Sequence, residues 1–167
     1  RLARIPLVLH TVHGLAFHEF SPARKVRVYS ALERLAEESC LNRWEPGSEE
    51  IGVVTSGVSY QYVKEVLPEA SVLKLGLVHP LPMQLVRKFA ASVKRLLVVE
   101  ELEPFVEEQV KGHGLRVEGK EFFSRLGEFS PERVRRGFQM AGVLPLPAEK
   151  QETQEKGPEK ENLFRPP

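Results

Sequence analysis

Three short apolar runs, Ile51–Thr55, Ser71–Leu75 and Arg95–Glu100, alternate with stretches of helical spacing. This alternation constrains the fold more than any other feature of the chain. Runs of four to six β-branched and aliphatic residues bounded by turn signals are strands buried on both faces. Strands separated by helices pair in parallel, which places helices on both faces of one sheet. At 167 residues the chain suits one domain with appendages.

The punctuation supports this reading. Ser21-Pro22 resembles a helix start, with Ser as cap and Pro at the first helical position. Val28, Leu32, Leu35 and Ala36 then recur at helical spacing, and the helix runs to about Cys40. Arg43 to Glu50, with Pro46-Gly47, reads as a polar turn. After the first strand, Ser56-Gly57 turns into a helix over Val58–Leu67 that Pro68 ends. Pro82 opens a helix to about Ser92, and Pro104 opens another to Lys111. Leu115–Glu118 reads as a fourth short strand, and Ser130-Pro131 opens a last helix. Residues 1–23 read as a connector, 24–140 as the folded domain, and 141–167 as a disordered linker rich in Pro, Glu and Lys.

The composition excludes much chemistry. The chain has no Asp, so all 23 acidic residues are Glu. A Ser-His-Asp triad, an aspartyl dyad and an EF-hand loop are therefore absent. One Cys supplies neither a disulfide nor the ligands of a zinc site or iron–sulfur cluster. The net charge of +1 argues against nucleic acid as a partner. No apolar run reaches the roughly 18 residues of a membrane span. Few cysteines and no secretory pattern point to the cytoplasm.

The candidate residues fall at strand ends. Ser56 and Gly57 lie between a strand and a helix, where backbone N–H groups hold anions, but the glycine and lysine spacing of nucleotide loops is missing. A tight turn is the simpler reading. Glu100 and Glu101 follow the third strand, on the sheet edge where ligands bind. They suit acid–base work or a cation, or else a carboxylate favoured by a helix N-terminus before Pro104. His79 precedes Pro80 in a tight loop and fits a site mouth or a turn. His10, His13 and His18 are close in sequence, yet Gly14 interrupts them and no zincin glutamate accompanies them. Cys40 reads as a small buried apolar residue rather than a nucleophile.

Several segments in order resemble one family. They are Ile51–Val58 with Tyr62-Val63-Lys64-Glu65, Leu73–Gly76 with Pro80-Leu81-Pro82, and Val98–Glu101 with Glu103-Pro104. Gly119-Lys120 and Gly127–Pro131 close the set. Together, over roughly residues 24–138, they resemble the middle region of the large (alpha) subunit of indolepyruvate ferredoxin oxidoreductases, a branch of the 2-oxoacid:ferredoxin oxidoreductases.

The resemblance implies a three-layer α/β/α domain of transketolase C-terminal-like type. Its sheet would be five-stranded and mostly parallel, with one antiparallel edge strand around Glu121–Ser124. It implies an enzyme that oxidatively decarboxylates aryl pyruvates to acyl-CoA and reduces ferredoxin. Thiamine diphosphate, magnesium, coenzyme A and 4Fe-4S clusters would bind other domains. Partners would be those domains, a smaller beta subunit and ferredoxin. This segment would then be structural, with Ser56, Gly57, His79, Glu100 and Glu101 at a domain interface or site mouth. Two alternatives stand beside it: the equivalent domain of a transketolase-like or 2-oxoacid dehydrogenase beta subunit, and a freestanding anion-binding α/β module.

Overall fold

Strand β2 (Ser48–Ser56) shows how the sequence builds the molecule, because its valines face alternate sides. The computed structural model describes residues 22–146. Val53 enters one core and Val54 the other. Strand β3 (Ala70–Leu75) repeats this with Val72 and Leu73, and β4 (Arg95–Val99) with Leu97 and Val98. A period of two on a sheet buried on both faces requires apolar residues at every position. The consecutive Val and Leu residues supply them.

The sheet runs β1-β3-β2-β4, with β1 the short stretch Arg43–Glu45. β2 lies between β3 and β4 and is parallel to both, with Val53 opposite Val72 and Leu97. Helices α2 (Ser59–Val66) and α5 (Pro131–Met140) cover the first face through Val63, Val66, Val134 and Phe138. Helices α3 (Met83–Ala91) and α4 (Phe105–Gly112) cover the second through Val86, Phe89, Val106 and Val110. The three-layer α/β/α reading is thus borne out.

Three details correct the expectation from sequence. The antiparallel edge strand is β1 (Arg43–Glu45), in the stretch read as a polar turn, and it pairs with β3. Trp44 stacks edge-on against Phe89, and Glu45 accepts the Tyr60 hydroxyl at 2.7 Å. Glu121–Ser124 forms turns instead of a strand, because Phe123 inserts into the core against Phe129 and Phe138. Leu115–Glu118 contributes only one parallel bridge, Leu97 to Glu118, beside β4. Arg95 pins it with a fork on Glu118, at 2.8 and 2.5 Å, and also donates to the carbonyl of Ala141 at 2.7 Å.

Helix α1 (Pro22–Glu38) lies beside α3. Ala36 is buried, whereas Val28, Leu32 and Leu35 are exposed among the described residues. Cys40, expected to be buried, is exposed because the helix ends before it and a turn follows. The start of α5 follows the expected cap: Ser130 Oγ accepts the N–H of Arg133 at 3.3 Å with Pro131 in the first turn. The histidines at 10, 13 and 18, residues 1–21 of the connector and residues 147–167 of the linker lie outside the described residues.

Gly137 lets α5 approach the core. A methyl group on it would overlap the ring of buried Phe123. Alanine ordinarily favours a helix over glycine by about 1 kcal/mol. Overpacking a filled core costs about 1–3 kcal/mol. Gly137→Ala is therefore expected to destabilise the chain, read as a lower urea midpoint at unchanged slope.

Candidate functional site at the carboxyl edge of the sheet

The parallel strands β3, β2 and β4 all end at one edge, and the residues singled out from sequence lie there. Ser56 closes β2, with Gly57 next. His79 lies in the loop after β3. Glu100 and Glu101 follow β4. After β2 the chain turns toward the face covered by α2, and after β4 toward the face covered by α4. Neighbouring strands whose connections leave to opposite faces form a topological switch point, where open α/β sheets bind ligands. Across this split the buried Thr55 Oγ1 donates to the carbonyl of Val99 at 2.8 Å.

Gly57 has φ +57°, a left-handed turn with open space where a side chain would stand. The cap position of α2 is Val58, which offers no side-chain acceptor. His79 precedes a cis peptide to Pro80. Its ring lies 6.4 Å from Tyr29 and 6.2 Å from Phe105, an aromatic row joining α1, this loop and α4.

The two glutamates have separate tasks. Glu100 is buried, and its carboxylate accepts the N–H groups of Val106 and Glu107 at 2.9–3.1 Å. Pro104 occupies the cap position of α4 and brings no side-chain acceptor, so Glu100 acts as its cap from the preceding strand end. Burial pushes the Glu100 carboxyl up from its ordinary value, against the pull of those N–H groups and of Lys120. Glu101 accepts the N–H of Phe129 at 3.0 Å and ties down the loop before α5.

Three residues not singled out from sequence as site residues also act at this edge, two of them within this network. Glu107, buried on α4, accepts Lys111 at 2.6 Å and the N–H of Lys120 at 2.8 Å. Lys120 Nζ donates to the carbonyl of Glu100 and lies 5.2 Å from the Phe129 ring. Its burial lowers the ammonium pKa, which the Glu100 and Glu107 carboxylates oppose. Asn42 accepts the N–H groups of Gly76 and Leu77 at 2.9 and 3.0 Å, which fixes the loop after β3. The Gly119-Lys120 pair was visible in the sequence; its link to Glu100 was not.

The donor set does not fit a magnesium–diphosphate site or a cluster. The chain has one Cys and no Asp, and the acids at the edge are occupied by backbone N–H groups. Among the described residues no group of three His, Cys, Asp or Glu is placed to hold a metal ion. No helix among them is long and apolar enough to cross a membrane.

Comparison with known proteins gives this edge its context. No protein-family model matches the chain. The indolepyruvate oxidoreductase subunit IorA of Thermococcus kodakarensis is 36% identical over 137 residues, covering 73% of this chain. That of Archaeoglobus fulgidus is 37% identical over 122 residues, covering 68%. That of Methanothermobacter thermautotrophicus is 47% identical over 81 residues, covering 45% of this chain and 13% of the relative. The chain is homologous to one segment of the IorA subunit. It spans 20% of the length of the first two relatives. In fold, the chain is similar to a 2-oxoglutarate:ferredoxin oxidoreductase from Magnetococcus marinus, which superposes with a TM-score of 0.59 at 16% identity. The match covers 77% of this chain and 24% of that one.

Glu100 lends itself to a two-variant test. Glu100→Leu leaves two buried N–H groups unpaired, at about 1–3 kcal/mol each, and Glu100→Gln keeps one acceptor. Leu is therefore expected to destabilise more than Gln. A carboxyl pKa raised in the folded state gives a contribution that is full in acid, below the unfolded value. That contribution is lost as pH rises through the folded value. Urea unfolding across pH 4 to 8 checks this: the advantage of the native chain over Glu100→Gln shrinks on going from acid to neutral.

Proposed function

We propose that this chain is the middle, structural and docking segment of the large subunit of a thiamine-diphosphate-dependent indolepyruvate:ferredoxin oxidoreductase. That enzyme would decarboxylate aryl pyruvates to acyl-CoA and reduce ferredoxin in the cytoplasm. The naming of the relatives supports the reaction. The observation that carries the docking role is the state of the carboxyl edge. Its two strand-end carboxylates are used to hold helix α4 and the Phe129 loop. A carboxylate that holds buried backbone donors cannot swing out to a substrate without leaving those donors unpaired. Beside the exposed His79 and Glu103, the edge offers three apolar side chains outward: Val58, Leu102 and Phe105 are 48%, 64% and 41% exposed.

In this reading residues 24–140 form the docking domain, and residues 141–167 lead toward the thiamine-binding half. Thiamine diphosphate, magnesium, coenzyme A and the 4Fe-4S clusters sit on other parts of the subunit. The smaller beta subunit and ferredoxin engage those parts as well. Ser56, Gly57, His79, Glu100 and Glu101 shape the surface against which the neighbouring domain packs.

Two assays check the reading together. The chain alone, supplied with thiamine diphosphate, magnesium and an aryl pyruvate, is expected to release no carbon dioxide above background. The polypeptide that carries it, isolated with its partner subunit, is expected to do so and to reduce ferredoxin. Decarboxylation by the chain alone would overturn the assignment.

A further inference from the structure

Leu102 stands out at the carboxyl edge for two independent reasons. Its φ is +56°, a left-handed conformation that a γ-branched side chain seldom adopts and that Gly or Asn adopts at low cost. Its side chain is also 64% exposed, so no packing within the described residues repays that conformation. Strained positions persist where the surroundings determine them, and they cluster at functional surfaces.

The surroundings here do determine it. On one side, Glu100 is held by the N-terminus of α4, and Lys120 grips its carbonyl. Glu101 is tied to the N–H of Phe129. On the other side, Glu103 faces Arg125 at 3.7 Å and Pro104 restricts the entry to α4. These ties hold the loop from both ends and present the leucine outward at its tip. Val58, after β2, and Phe105, at the start of α4, are half-exposed apolar residues on the same edge. A rigid, outward apolar knob is the geometry of an interface anchor, which is held in place before binding and loses little freedom on docking.

We infer that Leu102 is an anchor that inserts into an apolar socket on the remaining part of the same subunit polypeptide. This rests on the docking role proposed above and names the residue that carries it. The occupant is argued from length. The IorA relatives are about five times as long as the stretch matched here, so most of such a subunit lies outside this segment and must pack against it. The socket is apolar where it receives the leucine, and its rim is polar, because Glu103 beside the knob is exposed and paired only at the surface with Arg125.

The test uses the full-length subunit that carries this segment. Leu102→Gly and Leu102→Asn both relax the left-handed backbone. A leucine facing water would therefore give variants that inactivate on heating no faster than the native subunit, or more slowly. A leucine in a socket gives the opposite sign. Both variants are then expected to inactivate about ten-fold faster, the scale of truncating one buried leucine. Unchanged or slower inactivation overturns the inference.

Hydroxyl-radical footprinting of the native subunit needs no variant and separates the two levels of the argument. Protection of Leu102, Val58 and Phe105 together, independent of protein concentration, supports the anchor. Free modification of Leu102 with protection of Val58 and Phe105 overturns the anchor and leaves the docking edge standing. Free modification of all three overturns both. Protection that disappears on dilution assigns the socket to a second copy and overturns the inference as stated.

Discussion

Three of the described helices, α2, α3 and α4, begin without a side-chain cap of their own, and glutamates from other elements complete two of them, α3 and α4. Pro82 and Pro104 precede α3 and α4, fix the entry of the chain and supply no acceptor for the first N–H groups. Glu37 on α1 accepts the N–H groups of Gln84 and Leu85 at 2.7 and 3.0 Å, and Glu100 does the same for Val106 and Glu107. A chain without Asp has few short acceptors for a local cap, and the longer glutamate reaches from another element. Each such cap is therefore also a tertiary tie. One joins α1 to α3, and the other joins the end of β4 to α4. The helix dipole strengthens both, since each places negative charge at an N-terminus.

The second tie shapes the whole carboxyl edge. Because Glu100 is drawn down onto α4, its carbonyl is presented to Lys120, and Lys120 in turn lies over Phe129. Glu107 receives the backbone N–H of the same lysine. Gly119 lets the Glu107 carboxylate approach this closely, since a side chain on it would force that carboxylate to shift. A run of residues that looks like an acidic cluster is thus a set of struts between β4, α4 and the loop before α5. The strand-end carboxylates at this edge are engaged by backbone donors on α4 and in the loop before α5.

Much of this was legible in the sequence, and the exceptions have physical causes. β2, β3 and β4 were readable because a sheet buried on both faces needs consecutive apolar residues, and Val53-Val54, Val72-Leu73 and Leu97-Val98 provide them. β1 was not, since three residues beside Pro46-Gly47 carry no periodicity; Trp44 finds its place only when Phe89 is in position. Phe122-Phe123 imitates a strand through its aromatic content, but Phe123 is needed as a core plug under Gly137. Val28, Leu32 and Leu35 have helical spacing and form a helix, yet spacing alone does not say which stripe is covered. At the edge, the helix N-terminus reading of Glu100 could be stated from Pro104 alone. The left-handed backbone of Leu102 could not, because nothing in Glu-Leu-Glu-Pro distinguishes it from a relaxed turn.

Rigidity at this edge has a consequence for how such a segment can serve a larger enzyme. A surface that must hold neighbouring domains in register gains most from groups that are fixed before contact, because ordering them on contact would consume binding energy. The struts around Glu100 and Lys120 fix the groups of this edge within the segment. The same struts prevent these carboxylates from acting as bases, since moving one would release α4. Support and acid–base chemistry compete for the same side chains at a sheet edge, and here the hydrogen bonds show the glutamates committed to support. Under the docking role proposed above, the reacting groups would be concentrated elsewhere in the subunit and this segment would set distances.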